Sequence, residues 1–395
     1  MRLLFIANDF PNPGRPAKGV FNLDLARALS LRHQVQVVSP VAWTDPLRAV
    51  GRGAAEVWDF DRGVVEGIEV RYPRYYYPPV LLRDHLGWFY WRAVRGPVAE
   101  LAAAAPPDAV IAYWAHPDGA AAVRAARDAG VRSAVIVGGS DVLVLTEDRR
   151  RRRRITAVLQ ATDAVLCVSR HLREKVLDLG ISANKVHVWR QGVDTALFHP
   201  GDRADARRRL GLPATRAVAL WVGRMVPVKG LDVLLEATAI LRGRGVPIHV
   251  HLVGDGPLRE GLEARVQALG LEDRMSFAGA LTHEHLPDWY RAADLFVLPS
   301  RSEGLPNVLR ESKACGTPFV ATDVGGVAEI ADEPWDRLVP ADDPGALATA
   351  VESVLRRPTP ASTKVRSTSW TSAADALVSL LAPRGGRNEL EVEST

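Results

Sequence analysis

Cysteine is nearly absent from this chain: there are two in 395 residues, Cys167 and Cys315, each inside an apolar stretch. Neither belongs to a CxxC or His/Cys cluster, which argues against a disulfide framework and a zinc site and fits a reducing cytoplasm. Long hydrophobic runs are missing too. The longest, such as "AVIVGG" and "LFVLP", have the length of strands, far short of the ~20 residues that cross a bilayer. The opening "MRLLFIANDF" has too short an apolar run for a secretory leader, and Asn8 and Asp9 stand where a small-residue cleavage site belongs. It reads as a first buried strand. Excess acid is absent as well, since the net charge is +4. Residues 1–200 carry 27 Lys/Arg against 20 Asp/Glu and the remainder 23 against 26, and Arg149 to Arg154 form an unbroken run. A basic half suits an anionic partner, although a charge run with no recognition motif is weak ground for nucleic acid.

What is present is alternation. In the front half "LLFIA", "QVQVVSP", "DAVIAYW", "RSAVIVGG", "DAVLCVS" and "KVHVWRQG" read as strands separated by helical patterns such as "GVFNLDLARALS". The back half repeats this with "AVALWVGR", "IHVHLVGDG", "MSFAG", "LFVLPS" and "PFVATDVGG". Strands that alternate with helices predict parallel sheets, and the length predicts two domains. The expected fold is α/β, two doubly wound Rossmann-like domains facing a central cleft. The boundary is expected in the Gly-, Pro- and charge-rich stretch 190–213, giving domains 1–195 and 196–367, with a tail from 385 to 395 that reads as disordered.

Ligands of open parallel sheets bind beyond the carboxyl ends of the strands. Four junctions in the back half stand out. "VGRMVPVKG" places Arg224 and Lys229 on one loop, a fork and a point charge suited to a diphosphate. "VGDGPLRE" places Gly254 and Gly256 where backbone can approach a ligand. "SFAGALTHEHL" leaves the amides of Gly279 and Ala280 for a nucleobase edge. "PSRSEGLPNVLRESKACG" sets Glu303 ahead of a helix that starts near Pro306–Asn307, whose free N–H groups make an anion site. Glu311 lies inside that helix, ~8–12 Å from Glu303 at ~1.5 Å of rise per residue. The spacing fits an acid and base of an inverting hydrolase, or two hydrogen-bond acceptors at the ends of an extended ligand.

"EGLPNVLRESKACGTPFVATDVGG" resembles the E-x7-E segment of retaining family-4 glycosyltransferases of GT-B architecture. "VGRMVPVKGLDVLLEA", "VGDGPLRE", "YWAHPDG…GGSD" and "CVSRHLREKVLDLGISANKVHVWRQGVDTALFHP" follow in the matching order, so the resemblance covers about residues 1 to 382. It implies hexosyl transfer from a UDP- or GDP-sugar with retention, assisted by no cofactor. Glu303 would contact the donor sugar and Glu311 the ribose. Arg224 and Lys229, with amides near Asn307 and Val308, would bind the diphosphate, and Gly19 would approach it by backbone. Gly223, Gly254, Gly279, Gly304 and Leu305 would complete the donor site. His116 matches the histidine of the acceptor side, and Asp141 would bind acceptor or sugar, or else cap a helix. "STSW" resembles the segment that returns to the front domain, over about residues 368–384. Because no Asp-x-Asp pair stands at a strand exit, no metal is expected. Lys18 replaces a common glycine, and Arg310, Ser312 and Lys313 depart from the commoner pattern without facing Glu303. The basic front half suggests a lipid-linked or cell-surface glycan acceptor at the inner face of the cytoplasmic membrane, with peripheral contact and no nucleic acid. An epimerase or hydrolase of the same architecture, and a transferase for a soluble small molecule, remain open. The aromatic group Tyr75, Tyr76, Tyr77, Trp88, Phe89, Tyr90 and Trp91 reads as core or acceptor lining.

Overall fold

The structure is a computed structural model that describes residues 1–46, 60–78, 85–356 and 368–382. The expected tail 385–395 lies outside the described residues. Two separate sheets organise the chain. The front sheet is built from β1 (Arg2–Ile6), β2 (Gln34–Val38), β4 (Arg62–Val65), β5 (Ile68–Arg71), β7 (Ala109–Tyr113), β8 (Arg132–Val137), β9 (Ala164–Cys167) and β10 (Val186–Val188). The pair β3 (Val41–Ala42) and β6 (Arg74–Tyr75) stands apart from it. Its order is β10-β9-β8-β7-β1-β2-β5-β4. The back sheet holds β11 (Ala217–Val222), β12 (Ile248–Val253), β13 (Met275–Gly279), β14 (Leu295–Leu298), β15 (Phe319–Thr322) and β16 (Arg337–Val339) in the order β13-β12-β11-β14-β15-β16.

Helices cover both faces of each sheet, so central strands are apolar at every position rather than at alternate ones. Every residue of β7 and β9 is buried, and so are all but the first of β1 and β8. The connecting helices are α1 (Val20–Ser30), α2 (Leu86–Ala104), α3 (Asp118–Ala129), α4 (Ser140–Leu143), α5 (Arg149–Ala161), α6 (Arg170–Asp178) and α7 (Arg203–Leu210) in the front half and at the junction. The back half continues with α8 (Leu231–Gly243), α9 (Arg259–Ala268), α10 (Leu286–Ala292), α11 (Asn307–Ala314) and α12 (Pro344–Leu355).

The strand orders locate the crevices. In the back sheet β11 lies between β12 and β14, so the order reverses between β11 and β14, where a doubly wound sheet binds its ligand. Arg224 and Lys229 leave β11, and Glu303 leaves β14. In the front sheet β1 lies between β7 and β2, and the exits of β1 and β7 lead to Gly19 and His116.

Three features depart from the expected pattern. The hairpin β4–β5 is antiparallel and turns through Glu66 (φ 50°) and Gly67 (φ 82°), both in the left-handed region favoured by tight hairpins. β16 is too short to show a period. Pro306 precedes α11 in extended conformation (φ −71°, ψ 120°), and Asn307 is the first helical residue. Of the aromatic group, Tyr75 and Tyr90 are buried and Tyr75 stacks on Tyr77 at 5.7 Å, whereas Tyr76 and Trp88 are exposed.

A last helix, α13 (Trp370–Leu381), packs on α1, and Trp370, Leu377 and Leu381 enter the front-domain core. Trp189 Nε1 donates to Ala373 O at 2.8 Å, and Arg32 grips Asp375 through both carboxylate oxygens. The front core is therefore completed by residues more than 300 positions from its first strand. Leu377, fully buried, is expected to cost about 3 kcal/mol on truncation to alanine. Urea unfolding should show that loss, and a loss below about 1 kcal/mol would contradict the assignment of α13 to this core.

Candidate functional site

The back-domain crevice is shaped by backbone. Gly223 N donates to Val253 O and Gly254 N to Gly279 O, so three neighbouring strand exits are tied together. A side chain at Gly254 (φ 134°) would strike the Gly223 carbonyl. The freedom that suggested close approach to a ligand is thus required by the protein itself at this position. Gly19 caps α1 in the left-handed region (φ 65°) against the backbone of Asp9, and Lys18 Nζ donates to Asn8 O at 2.7 Å.

Two glutamates hold different positions. Glu303 is buried, and its Oε1 accepts from Lys229 Nζ at 2.7 Å. The cation assigned to the diphosphate and the carboxylate assigned to the sugar therefore already touch. Arg224, on the same loop as Lys229, is exposed. Glu311 is also buried, with Oε2 accepting from Tyr290 Oη at 2.8 Å and Oε1 facing His283 Nε2 at 3.2 Å. Each oxygen carries two lone pairs, so acceptor capacity remains on both. Burial disfavours the His283 cation, but Glu311, with Asp24 and Asp194 behind it, outweighs that and raises its pKa. Asp24, on the buried face of α1, is pushed up to about 6, chiefly by burial, although His283 and Arg27 oppose the shift.

A cavity of about 410 Å³ opens between the domains. It brings together Gly19, Gly223, Asn307, Val308 and Glu311 from the expected set. It also gathers Asp24, Asp194, Phe198, His283 and Arg310, which sequence reasoning did not select. Leu305 does not line it but packs into the cores of both domains. Gly279, Gly254, Lys229 and Glu303 stand outside its wall.

The front-domain side of the cleft is organised by Asp141. Its carboxylate is buried and accepts from Gly139 N at 3.0 Å and Ala115 N at 3.1 Å. Burial raises its pKa to about 6 against these bonds. Each oxygen accepts one backbone N–H and keeps a further lone pair, so Asp141 fixes the loop that carries His116. It lies inside its own short helix, whose N-cap Gly139 has no side-chain cap, and its carboxylate accepts from that residue's N–H. His116 packs with its Nε2 towards Gly87, where there is no room for a Cβ. Burial first, then Arg154, Arg151 and Arg124, lower its pKa to about 4. Arg151 and Arg154 are the half-buried members of the arginine run, and Asp148 caps α5 by accepting from Arg150 N and Arg151 N.

The two halves meet through glycine. A Cβ at Gly304 would collide with the carbonyl of Gly138, and one at Gly139 would press on Gly304. Gly326 N donates to Gly304 O at 3.0 Å from the other side. Glu303 is thereby fixed at the point where "VGGSD" of the front domain touches "EGLPN" of the back.

The fold is shared with sucrose-phosphate synthase from Thermosynechococcus elongatus, at a TM-score of 0.74 and 23% identity over 96% of this chain and 95% of that one. An Anabaena protein solved with UDP-glucose superposes at a TM-score of 0.67 and 20% identity, over 96% and 95%. Residues 19–197 match the model of Glycosyltransferase Family 4, and residues 216–357 that of Glycosyl transferases group 1. The fold is that of the GT-B glycosyltransferases, and each of the two domains matches a glycosyltransferase family model. A relative named D-inositol 3-phosphate glycosyltransferase 2, from Catenulispora acidiphila, is 38% identical over 231 residues, 55% of this chain and 54% of that protein. Another of the same name without the number, from Geodermatophilus obscurus, is 38% identical over 239 residues, 56% and 52%. The chain spans about half the length of the relatives it matches. Among the described residues, no helix is long and apolar enough to cross a membrane.

Two outcomes follow from the geometry. Gly304→Ala should force the domains apart by on the order of 1 Å and lower turnover about 100-fold while melting within a few degrees of wild type. Retained turnover would show that the glycine contact is dispensable. His116, held near pKa 4, is neutral from about pH 5 upwards, so kcat/KM should show no limb near 6.5 that vanishes in His116→Ala.

Proposed function

We propose that this protein transfers a hexose-type sugar from a UDP- or GDP-sugar to an acceptor hydroxyl, with retention of configuration. The observation that carries the reading is the Lys229–Glu303 pair, seated where the two domains touch and eight residues ahead of Glu311. On this reading Glu303 holds the donor sugar and Glu311 the ribose. Arg224, Lys229 and the amino end of α11 stabilise the departing diphosphate, whose growing charge they meet without a metal. No side chain is required as a nucleophile. The acceptor attacks from the face the diphosphate leaves, and domain closure excludes water.

The acceptor is read from charge. Arg124, Arg151 and Arg154 lie close enough to His116 to lower its pKa. Arg151 stands in the first turn of α5, where a cation opposes the helix dipole, while Arg154 is in its second turn and Arg124 on α3; their convergence on His116 speaks for an anionic acceptor. A phosphate-bearing acceptor satisfies this, and the names of the relatives point to a soluble inositol phosphate. A lipid phosphate at the cytoplasmic membrane face, for cell-surface polysaccharide or glycolipid, offers the same group, with about 1 kcal/mol per arginine near an anionic surface.

The test is transfer from a panel of nucleoside-diphosphate sugars to inositol 3-phosphate and to phospholipid vesicles, in EDTA. Glu303→Gln should lower kcat about 100-fold or more while nucleoside-diphosphate affinity stays within about threefold. Glu311→Ala should weaken that affinity about tenfold. Donor cleavage at full rate without any acceptor would instead favour hydrolysis, and no donor binding would refute the reading.

A further inference from the structure

Arg310 stands one residue before Glu311. Its Nη1 donates to Gln191 O at 2.6 Å, and its Nη2 to Gly192 O at 2.9 Å and to Asn307 Oδ1 at 2.9 Å. Its Nε is buried without a partner. Gln191 and Gly192 are where the chain leaves the front domain. The return crossing runs beside them: Val193 N donates to Thr368 O at 2.9 Å, and Gly192 lies against Trp370 with no room for a Cβ.

The chain of contacts continues into the front domain. Gln191 Nε2 donates to Tyr113 Oη at 2.6 Å. Tyr113 ends β7, its ring 5.3 Å from that of Trp114, whose Nε1 donates to Asp9 Oδ2 at 3.0 Å. Two residues on is His116. One guanidinium is therefore bonded at once to the first residue of α11 and to two successive carbonyls of the hinge. A fork that fixes two carbonyls transmits their rotation, which a lysine's single point charge does not. An orphaned donor nitrogen is a cost that a methionine, long and apolar, would avoid.

We propose that Arg310 is a positioning residue that couples rotation of the two domains to the amino end of α11, so that Asn307 and the neighbouring amides reach their working position only when the cleft closes. The proposal rests on the transferase reading above. It gives a role to a residue whose departure from the common pattern appeared neutral in the sequence.

The experiment compares wild type, Arg310→Lys, Arg310→Met and Tyr113→Phe. It measures kcat, donor KM, nucleoside-diphosphate Kd by calorimetry, and the fall in radius of gyration on nucleotide saturation by X-ray scattering. Both Arg310 variants should lose at least tenfold in kcat and lose the compaction, with Kd within threefold of wild type. Tyr113→Phe keeps the ring, leaves Arg310 in place and breaks the bond to Gln191. It should give the same signature at smaller size, and it carries the test if the Arg310 variants do not fold. Unchanged kcat per folded molecule with a lowered melting temperature overturns the proposal and marks a structural role. Equal losses of kcat and affinity also overturn it. A wild type that binds no nucleoside diphosphate fails the transferase reading itself, and the proposal falls with it.

Discussion

The site depends on a place where two backbones meet with no side chain between them. Gly304 lies against Gly138 and Gly139, and its carbonyl accepts from Gly326 N on the far side. Glu303 is the neighbour of that contact, and a Cβ at Gly325 would strike its carbonyl. The residue is held by main chain from both domains, which leaves its carboxylate as the mobile part. Side-chain contacts across a cleft can relax by changing rotamer, whereas backbone packed on backbone cannot. Small displacements of one domain therefore act directly on Glu303. This explains why a glycine follows the glutamate and why two consecutive glycines stand at each of the 138–139 and 325–326 turns.

Charge is distributed asymmetrically about this point. On the back-domain side carboxylates are matched: Glu303 with Lys229, Glu311 with Tyr290 and His283. On the front side the carboxylates are buried for architecture. Asp118 accepts from Tyr90 Oη and Asn8 N, and burial pushes it up to about 7. Asp141 binds two amides in the same manner. What faces His116 is therefore net positive, from Arg124, Arg151 and Arg154, and the imidazole stays neutral. A neutral imidazole can donate one hydrogen bond and accept another, which suits a hydroxyl-bearing ligand.

Much of this was legible in the sequence because parallel sheets write plainly. Strands buried on both faces give continuous apolar runs, and their exits carry the chemistry, so "LFVLPS" followed by "EGLPNVLRE" announced both glutamates. The remaining features depend on contacts between distant segments. His283 and Tyr290 sit on a separate turn and helix, and nothing in "THEHLPDWY" says that Glu311 lies across from them. Asp24 reads as one polar residue of an amphipathic helix. Arg310 reads as a departure that does not face Glu303 until the linker carbonyls at 191 and 192 are placed beside it. At Gly254 the sequence shows a permissive backbone but not its near neighbour, the Gly223 carbonyl that a Cβ would strike. The hairpin at Glu66–Gly67 lacked the Asn-Gly or Asp-Gly signal that marks such turns, and β16 has only three residues.

The difference between the two glutamates bears on how such a site works. Glu311 has partners on both oxygens before any ligand arrives, so its direction is set in advance and, on the transferase reading, little ordering remains for a ribose to impose. Glu303 has one oxygen on Lys229. On the transferase reading, an arriving diphosphate competes for Lys229, and the competition grows as the sugar–phosphate bond lengthens and negative charge collects on the leaving group. Lys229 then leans towards phosphate, and Glu303 turns its carboxylate to the sugar, where positive charge is developing. One ion pair in the resting protein thus becomes two separated interactions in the transition state. Interactions that strengthen only along the reaction coordinate raise kcat rather than affinity alone. A lysine suits this exchange better than an arginine, because a compact ammonium on a flexible stem can change partners without giving up a bidentate fork.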